Sequence, residues 1–140
     1  MAEPPDLIQQ YYKAFNERRF TDAAEMFSAD AEIQHRPGSV ALKGPEGYLE
    51  SARMATASFP DIRLEVVDIV LRGDTIAEVS LKATGTLAAD WTAGELGTLK
   101  ATGKPKTFRL RETLEIRAGR ITFSTLNYNL QDLFATGTGY

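Results

Sequence analysis

The N-terminal part of the chain places apolar residues at the spacing of amphipathic helices. Residues 5–18 show this spacing most clearly and open with a proline and an aspartate, which favour a helix start. A second, short helix is expected over residues 21–27, with Thr21 as its N-cap. A third is expected over residues 45–58, because Pro60 disfavours helical backbone just before it. The pattern therefore predicts three helices.

After the third helix, apolar and polar residues alternate as they do in strands. Residues 61–72 alternate with a change of phase at Val66–Val67, which indicates a bulge. A turn separates this run from a second one at residues 76–85. The two clearest runs, 108–116 and 121–129, flank the sequence RAGR, which predicts a hairpin.

One strand is expected between the second and third helices. In AEIQHRPG, residues 31–38, alternation places Ile33 and His35 on one face, ahead of a Pro-Gly turn. Residues 86–104 hold the only tryptophan and are expected to form a long connection at the rim of a pocket. The order of elements predicts an α+β fold, a cone in which three N-terminal helices pack on a curved antiparallel sheet. Residues 1–140 are expected to form one domain.

The hairpin predicts which residues of the last two strands face each other. A four-residue RAGR loop pairs Ile116 with Ile121. Counting back from that pair predicts four further pairs: Leu114–Phe123, Glu112–Thr125, Leu110–Asn127 and Phe108–Asn129. The inner face of the last strand is then expected to carry alternate residues: Ile121, Phe123, Thr125, Asn127 and Asn129.

Composition narrows the classes of partner. The net charge is −3 and basic residues are not clustered, which argues against nucleic acid and an anionic membrane surface as partners. The chain has no cysteine and one histidine, so neither thiolate chemistry nor a histidine-rich metal site is expected, and no cofactor is predicted. We find no signal-peptide pattern and no apolar run of bilayer length. A cytoplasmic protein with a small-molecule partner is the resulting expectation.

Four elements direct polar side chains toward the predicted interior, and these side chains are Tyr11, His35, Glu112, Asn127 and Asn129. Burial raises the pKa of a carboxyl group such as that of Glu112, so that it can donate a hydrogen bond near neutral pH. The imidazole of His35 is the usual type of general base. A tyrosine hydroxyl beside an acid can stabilise a developing oxyanion. These residue types together point to proton transfer beside a carbonyl group.

Each of these residues also has a purely structural explanation, which the sequence leaves open. Glu112 can form an ion pair with an arginine, and His35 can cap the turn that follows it. Tyr11 can be a core aromatic residue with a bonded hydroxyl, while Asn127 and Asn129 can simply end the strand pairing. No single residue is specific for a function. Their convergence on one presumed cavity is what favours an active site.

Several segments together carry a resemblance to a known family. They are LIQQYYKAFNERRFTDAAEMFSADAEI, the H-x-P-G turn followed by KGPEGY, FPDIRLEV, ATGK and AGRITFSTLNYNLQDL. From about Leu7 to Gly137 the chain resembles the SnoaL-like polyketide (ester) cyclases of the NTF2-like superfamily, and more distantly ketosteroid isomerase. The resemblance implies the cone-shaped fold and a homodimer packed through the outer sheet faces. It does not identify a reaction, because this fold hosts many chemistries.

The resemblance to ketosteroid isomerase implies roles for three residues. The oxyanion-hole tyrosine of that enzyme falls on Tyr11, its catalytic base on His35 and its protonated acid on Glu112. Where the cyclases have an acid/base aspartate near the end of the last strand, this chain has Asn129, with Asp132 three residues on. Asparagine cannot transfer a proton, and it also departs from the Asp-Arg-Asp arrangement of limonene-epoxide-hydrolase-like proteins.

The functional prediction is cofactor-independent cyclisation or isomerisation of a hydrophobic carbonyl compound that is polyketide-, steroid- or terpenoid-like. His35 is expected to be the base, Tyr11 and Glu112 the oxyanion donors, and Asn127 and Asn129 the orienting groups. The substrate-binding wall is expected to include Phe15, Met54, Trp91, Leu110, Leu114, Phe123, Thr125 and Asn127. Three alternatives are a non-catalytic small-molecule-binding protein, an epoxide-hydrolase-like hydrolase, and a protein-interaction domain with a filled cavity and an exposed apolar sheet face.

Overall fold

The computed structural model describes residues 4–36, 40–92, 98–129 and 132. The helices in these residues are α1 (Pro4–Asn16), α2 (Phe20–Ala24) and α3 (Gly44–Ser58). The strands are β1 (Phe27–Arg36), β2 (Val40–Lys43), β3 (Arg63–Arg72), β4 (Ile76–Thr86), β5 (Trp91–Thr92), β6 (Thr98–Leu99), β7 (Pro105–Arg117) and β8 (Arg120–Tyr128).

Six strands form one sheet in the order β2-β1-β8-β7-β4-β3, and β5 pairs with β6 separately. The α+β class is confirmed, but the expected antiparallel sheet is mixed, because β1 and β8 run parallel. After β1 the chain forms the short strand β2 and then α3. It continues through the strands β3, β4 and β7 to β8, which lies beside β1 on the side opposite β2. That crossover is long enough for a parallel pair, which a short hairpin cannot make.

The boundaries around β1 differ from the prediction. The second helix ends at Ala24 instead of residue 27, and Phe27 already pairs with Ile121 of β8. An irregularity between Phe27 and Glu32 interrupts the pairing of β1 with β8 and hides the alternation that marks a strand in sequence. The predicted Pro-Gly turn after His35 lies outside the described residues.

Two features of the meander were readable in sequence. The predicted bulge in β3 is confirmed, because the pairing with β4 shifts between Val66 and Asp68. The pairing of Ile116 with Ile121 is also confirmed. The loop between them is tighter than predicted, since Ala118 and Gly119 alone connect the strands, both with positive φ (51° and 75°), as a two-residue hairpin turn requires.

A second bulge, at Thr122, changes the face on which the rest of β8 lies. Glu115 pairs with Phe123, which leaves Thr122 as the extra residue, and its hydroxyl donates to the Glu115 side chain at 2.7 Å. A one-residue slip moves every later side chain to the other face of a strand. The predicted pairs beyond Ile116 are therefore wrong by one residue, and the observed ones are Leu114–Ser124, Glu112–Leu126 and Leu110–Tyr128.

The core lies between the helices and the inner face of the large sheet. One face of α1 is buried against it, through Leu7, Ile8, Tyr11, Tyr12 and Phe15. The N-terminal end of α3 lies close to β1, because Gly44 (φ 68°) approaches the carbonyl oxygen of Ala29 so closely that a Cβ there would lie 2.6 Å from it. This approach aims one face of α3 into the space between the helices and the sheet.

Candidate active site

A cavity lies between α1, α3 and the inner faces of β7 and β8. The volume that the centre of a water molecule can reach inside it is about 60 Å³. Half of the described residues that line it are aromatic, namely Tyr11, Tyr12, Phe15, Tyr48, Phe59, Trp91, Phe108 and Tyr128. On α3 the cavity-facing residues recur at helical spacing. The first of them is Tyr48, and the others, Ser51, Ala52 and Ala55, have small side chains. The small side chains of this stripe leave the space open.

Glu112 is the acidic group of the cavity wall, and only hydroxyl groups bond to it among the described residues. Its side chain is 2% exposed on the inner face of β7. It accepts hydrogen bonds from Tyr12 Oη at 2.6 Å, from Tyr11 Oη at 3.3 Å and from Ser124 Oγ. The arginine ion pair that the sequence left open is not formed. Burial raises the pKa of Glu112, although the three hydroxyl donors act in the opposite direction.

The tyrosine hydroxyls of the cavity are all held in their neutral form. Burial, reinforced by the neighbouring Glu112, raises the pKa of Tyr11 and Tyr12 well above the ordinary value, and that of Tyr48 and Tyr128 in the same direction. Each phenol therefore remains a potential hydrogen-bond donor at physiological pH.

His35 lies behind the cavity wall and not on it. It is 6% exposed on the inner side of β1, and its Nε2 is 2.8 Å from Ser51 Oγ. The ring meets that of Tyr128 edge-on, with centroids 6.1 Å apart. Burial lowers the pKa of His35 to about 4, so the imidazole is neutral at physiological pH. Ser51 and Tyr128, which His35 contacts, both line the cavity, so each of them separates His35 from the cavity by one side chain.

The other predicted wall residues divide into two groups. Phe15, Trp91 and Leu110 line the cavity. Leu114 does not, since it is fully buried in the core, and half-buried Met54 lies outside the cavity-facing stripe of α3. The expectation that these two contribute to the wall is wrong, because it treated every apolar residue of a strand or helix as equally close to the cavity.

The four predicted inward residues of β8 are wrong for a common reason, the Thr122 bulge. Phe123, Thr125, Asn127 and Asn129 do not line the cavity. The two asparagines border a cleft on the outer face together with Arg109 and Arg111. The side-chain oxygen of Asn129 instead accepts from the backbone N–H of Asp132 at 2.9 Å.

Asp132 does not supply the missing carboxylate either. Its side chain is 3% exposed and is bonded by Arg109 through Nε (2.8 Å), Nη2 (3.0 Å) and the backbone N–H (2.9 Å). This carboxylate is part of an ion pair on the other side of the hairpin and is absent from the cavity wall.

Five polar side chains near Glu112 and His35 were missed in sequence: Tyr12, Tyr48, Ser51, Ser124 and Tyr128. Tyr48 and Ser51 could have been found from the helical spacing of the third helix, and Tyr12 from the buried stripe of the first. Ser124 and Tyr128 lie on the inner face only in the observed register, which is shifted by one residue, so the predicted pairing could not indicate them.

The described residues offer neither a metal cluster nor a membrane-spanning helix. They contain no group of three or more His, Cys, Asp or Glu side chains that could hold a metal ion. None of the helices described is long and apolar enough to cross a membrane.

The fold and cavity define a domain in which helices pack on a curved sheet around an interior cavity. The family model of the SnoaL-like domain matches residues 8–124, and the chain belongs to this family. Comparison with curated proteins gives no match.

Three solved structures illustrate the likeness. Wild-type IdmH from Streptomyces antibioticus is 25% identical over 96% of this chain and 97% of its own, with a TM-score of 0.77. A SnoaL-like polyketide cyclase from Agrobacterium tumefaciens strain C58 is 18% identical (95% and 96% covered, TM-score 0.78). A hypothetical protein with a ketosteroid isomerase-like fold from Catenulispora acidiphila, in complex with trimethylamine, is 15% identical (96% and 92% covered, TM-score 0.76).

Proposed function

We propose that the protein is a cofactor-independent isomerase or cyclase that moves a proton beside the carbonyl group of a compact hydrophobic molecule. The observation that carries the proposal is Glu112, a buried acid without a counter-charge among the described residues, surrounded by hydroxyl donors in an aromatic cavity. A carboxyl group whose pKa is raised in this way can stabilise the enolate oxygen by donating to it. Membership of the SnoaL-like family supports the same class of chemistry.

The two tyrosines that bond Glu112 have different roles in this proposal. The short 2.6 Å bond from Tyr12 holds the carboxyl group in place. The 3.3 Å bond from Tyr11 is long for an O–H donor, so the Tyr11 hydroxyl turns to a substrate oxygen at little cost. Tyr11 and the protonated Glu112 then donate to the oxygen on which negative charge develops.

The proton leaves the substrate carbon through Ser51. As the C–H bond breaks, Ser51 Oγ takes the proton and passes its own proton to Nε2 of His35, 2.8 Å away. The electron pair of the C–H bond moves onto the carbonyl oxygen and gives the enolate. In isomerisation the proton returns through Ser51 to another carbon. In cyclisation the enolate carbon attacks a second carbonyl group, whose π electrons move onto its oxygen, and this oxygen takes the proton back from His35 through Ser51. His35 is a weak base, with a pKa near 4, but it is neutral at pH 7 and can accept the proton.

The three alternative functions differ in how well they fit the positions of the residues. A non-catalytic binding protein would use the same cavity, and the position of His35 behind Ser51 is the feature that favours it. The epoxide-hydrolase-like alternative has little support, because the Arg109–Asp132 pair lies outside the cavity. A protein-interaction domain with a filled interior fits poorly with the open volume of about 60 Å³. The homodimer and the cytoplasmic location remain part of the proposal.

Proton exchange tests the activity without knowledge of the natural substrate. The protein is incubated with 1-indanone in D₂O, and loss of the signal of the protons beside the carbonyl is followed by NMR. We expect acceleration over buffer, reduced about 100-fold in Glu112→Gln and in His35→Ala. Glu65→Gln, the same change at an exposed position of β3, is the control and should leave the rate unchanged. A ketone that binds without accelerated exchange would identify a non-catalytic binding protein.

A further inference from the structure

Tyr48 stands in the first half of α3 with its side chain buried in the cavity wall. It is 4% exposed, its ring stacks on Phe27 with centroids 5.1 Å apart, and Tyr11 lies at 5.6 Å. The close approach of the start of α3 to β1 and β2 brings it there, since a Cβ on Gly47 would lie 3.0 Å from that of Leu42. Its position is therefore a consequence of tight backbone packing.

The hydroxyl of Tyr48 differs from those of its neighbours. Tyr11 and Tyr12 donate to Glu112, whereas Tyr48 Oη is fully buried and has no hydrogen-bond partner among the described residues. Burial raises the pKa of Tyr48, so the group stays a neutral donor. A buried donor that bonds to nothing is rare and unfavourable in a folded protein.

Packing alone does not account for this hydroxyl. Phenylalanine would make the same ring contacts with Phe27 and Tyr11 without burying an unbonded polar group. Tyr48 lines the cavity but its Oη has no surface open to it, so we propose that the ring turns slightly when a molecule occupies the cavity and that Oη then donates a hydrogen bond to this molecule, which therefore carries an oxygen acceptor at this position. The proposal rests on the proposed function only in using the same cavity, and it requires binding but no turnover.

The wall restricts the class of that molecule. Among the described residues, the cavity lining contains no Lys, Arg or His side chain, and its acidic group is Glu112. An anionic ligand would be buried without a counter-charge and close to an acid, which is unfavourable. An anion is thereby disfavoured, and the ligand of the proposal is a neutral ring compound whose carbonyl, ether or hydroxyl oxygen accepts from Tyr48 while its apolar body lies against the aromatic rings.

A pair of probes with and without oxygen tests this proposal. Binding of 1-indanone and of its hydrocarbon counterpart indane is measured by ligand-detected NMR for the wild-type protein and for Tyr48→Phe. We expect Tyr48→Phe to lose about tenfold in affinity for 1-indanone and to bind indane unchanged. If the ratio of the affinities for 1-indanone and indane is the same in the wild-type protein and in Tyr48→Phe, the proposal is overturned. It is also overturned if the wild-type protein does not bind 1-indanone.

Thermal unfolding excludes a trivial loss of structure. Tyr48→Phe should unfold at the same or a higher temperature than the wild-type protein, because an unbonded hydroxyl is removed. Tyr12→Phe should unfold at a lower temperature, because it removes a donor to Glu112. A lower midpoint for Tyr48→Phe would show that its hydroxyl already has a structural partner, and would also overturn the proposal. Binding of 1-indanone through Tyr48 without proton exchange would instead contradict only the proposed activity.

Discussion

Two buried acidic residues associated with the β7–β8 hairpin have opposite surroundings. Glu112, on the inner face, is bonded by three hydroxyls and by no cation among the described residues. Asp132 is just as buried, but the guanidinium and backbone N–H of Arg109 hold it from the outer side. A fixed counter-charge stabilises an ionised carboxylate, whereas burial among neutral groups favours the protonated acid.

The difference separates an acid held by a counter-charge from one that the proposed chemistry can use. The Asp132–Arg109 pair holds Asp132 against the outer face of β7. Glu112 also joins α1 to β8 through its hydroxyl donors, but because it has no counter-charge among the described residues, the proposed chemistry can use it to exchange a hydrogen bond or a proton with a ligand. His35 belongs with Glu112 in this comparison, because it too is buried on the inner side and bonded to a neutral hydroxyl, that of Ser51.

The largest expected effect is the acid sensitivity that His35 confers on the fold. Its folded-state pKa of about 4 lies below its ordinary value, so below pH 6.5 the unfolded chain binds a proton that the folded protein resists. Stability is therefore lost as the pH falls from 6.5 to 4, by about 3 kcal/mol for this group. Urea unfolding at pH 7, 5.5 and 4 should show this loss in the wild-type protein, relative to His35→Gln. If the difference in the free energy of unfolding between the wild-type protein and His35→Gln stays the same from pH 7 to pH 4, His35 already has a compensating negative charge.

The second prediction removes the counter-charge of Asp132. Arg109→Met should lower the free energy of unfolding at pH 7 by about 2 kcal/mol, because a buried carboxylate loses its guanidinium partner while Arg109 itself is partly solvent-exposed. Arg111→Met, on the same face of β7, is the matched control and should change stability by less than about 0.5 kcal/mol. Equal losses in the two variants would show that Asp132 does not depend on the pair, and the contrast with Glu112 would disappear.

Most of the fold was predictable from sequence, but the composition of the cavity wall was only partly so. The three helices, the β3 bulge and the Ile116–Ile121 pair follow from periodicity and turn chemistry. The Thr122 bulge was missed because Ile121 and Phe123, on either side of it, keep the two-residue spacing of an unbroken strand, although Leu126 and Tyr128 are out of phase with them.

That single missed residue accounts for all the misplaced side chains of β8. A slip of one residue exchanges the two faces of a strand, so Asn127 and Asn129 were assigned to the interior in place of Leu126 and Tyr128. The inward positions of Tyr11 and Glu112 did not depend on this register, since periodicity within α1 and β7 was sufficient. The contact of His35 with Ser51 joins two elements distant in sequence, and no local pattern indicates it.

The last and smallest effect concerns the pH dependence of Glu112 itself. Its folded-state pKa is raised above the ordinary value, so the stability it contributes is present at low pH and is lost as the pH rises through the raised pKa. Relative to Glu112→Gln, the wild-type protein should lose stability above pH 4.5, by no more than about 1.4 kcal/mol per pH unit. Glu65→Gln, at an exposed position, should show no such trend. A trend of opposite sign would mean that the three hydroxyl bonds outweigh burial and keep Glu112 ionised. The proposed role of Glu112 as a donor to an enolate would then be untenable.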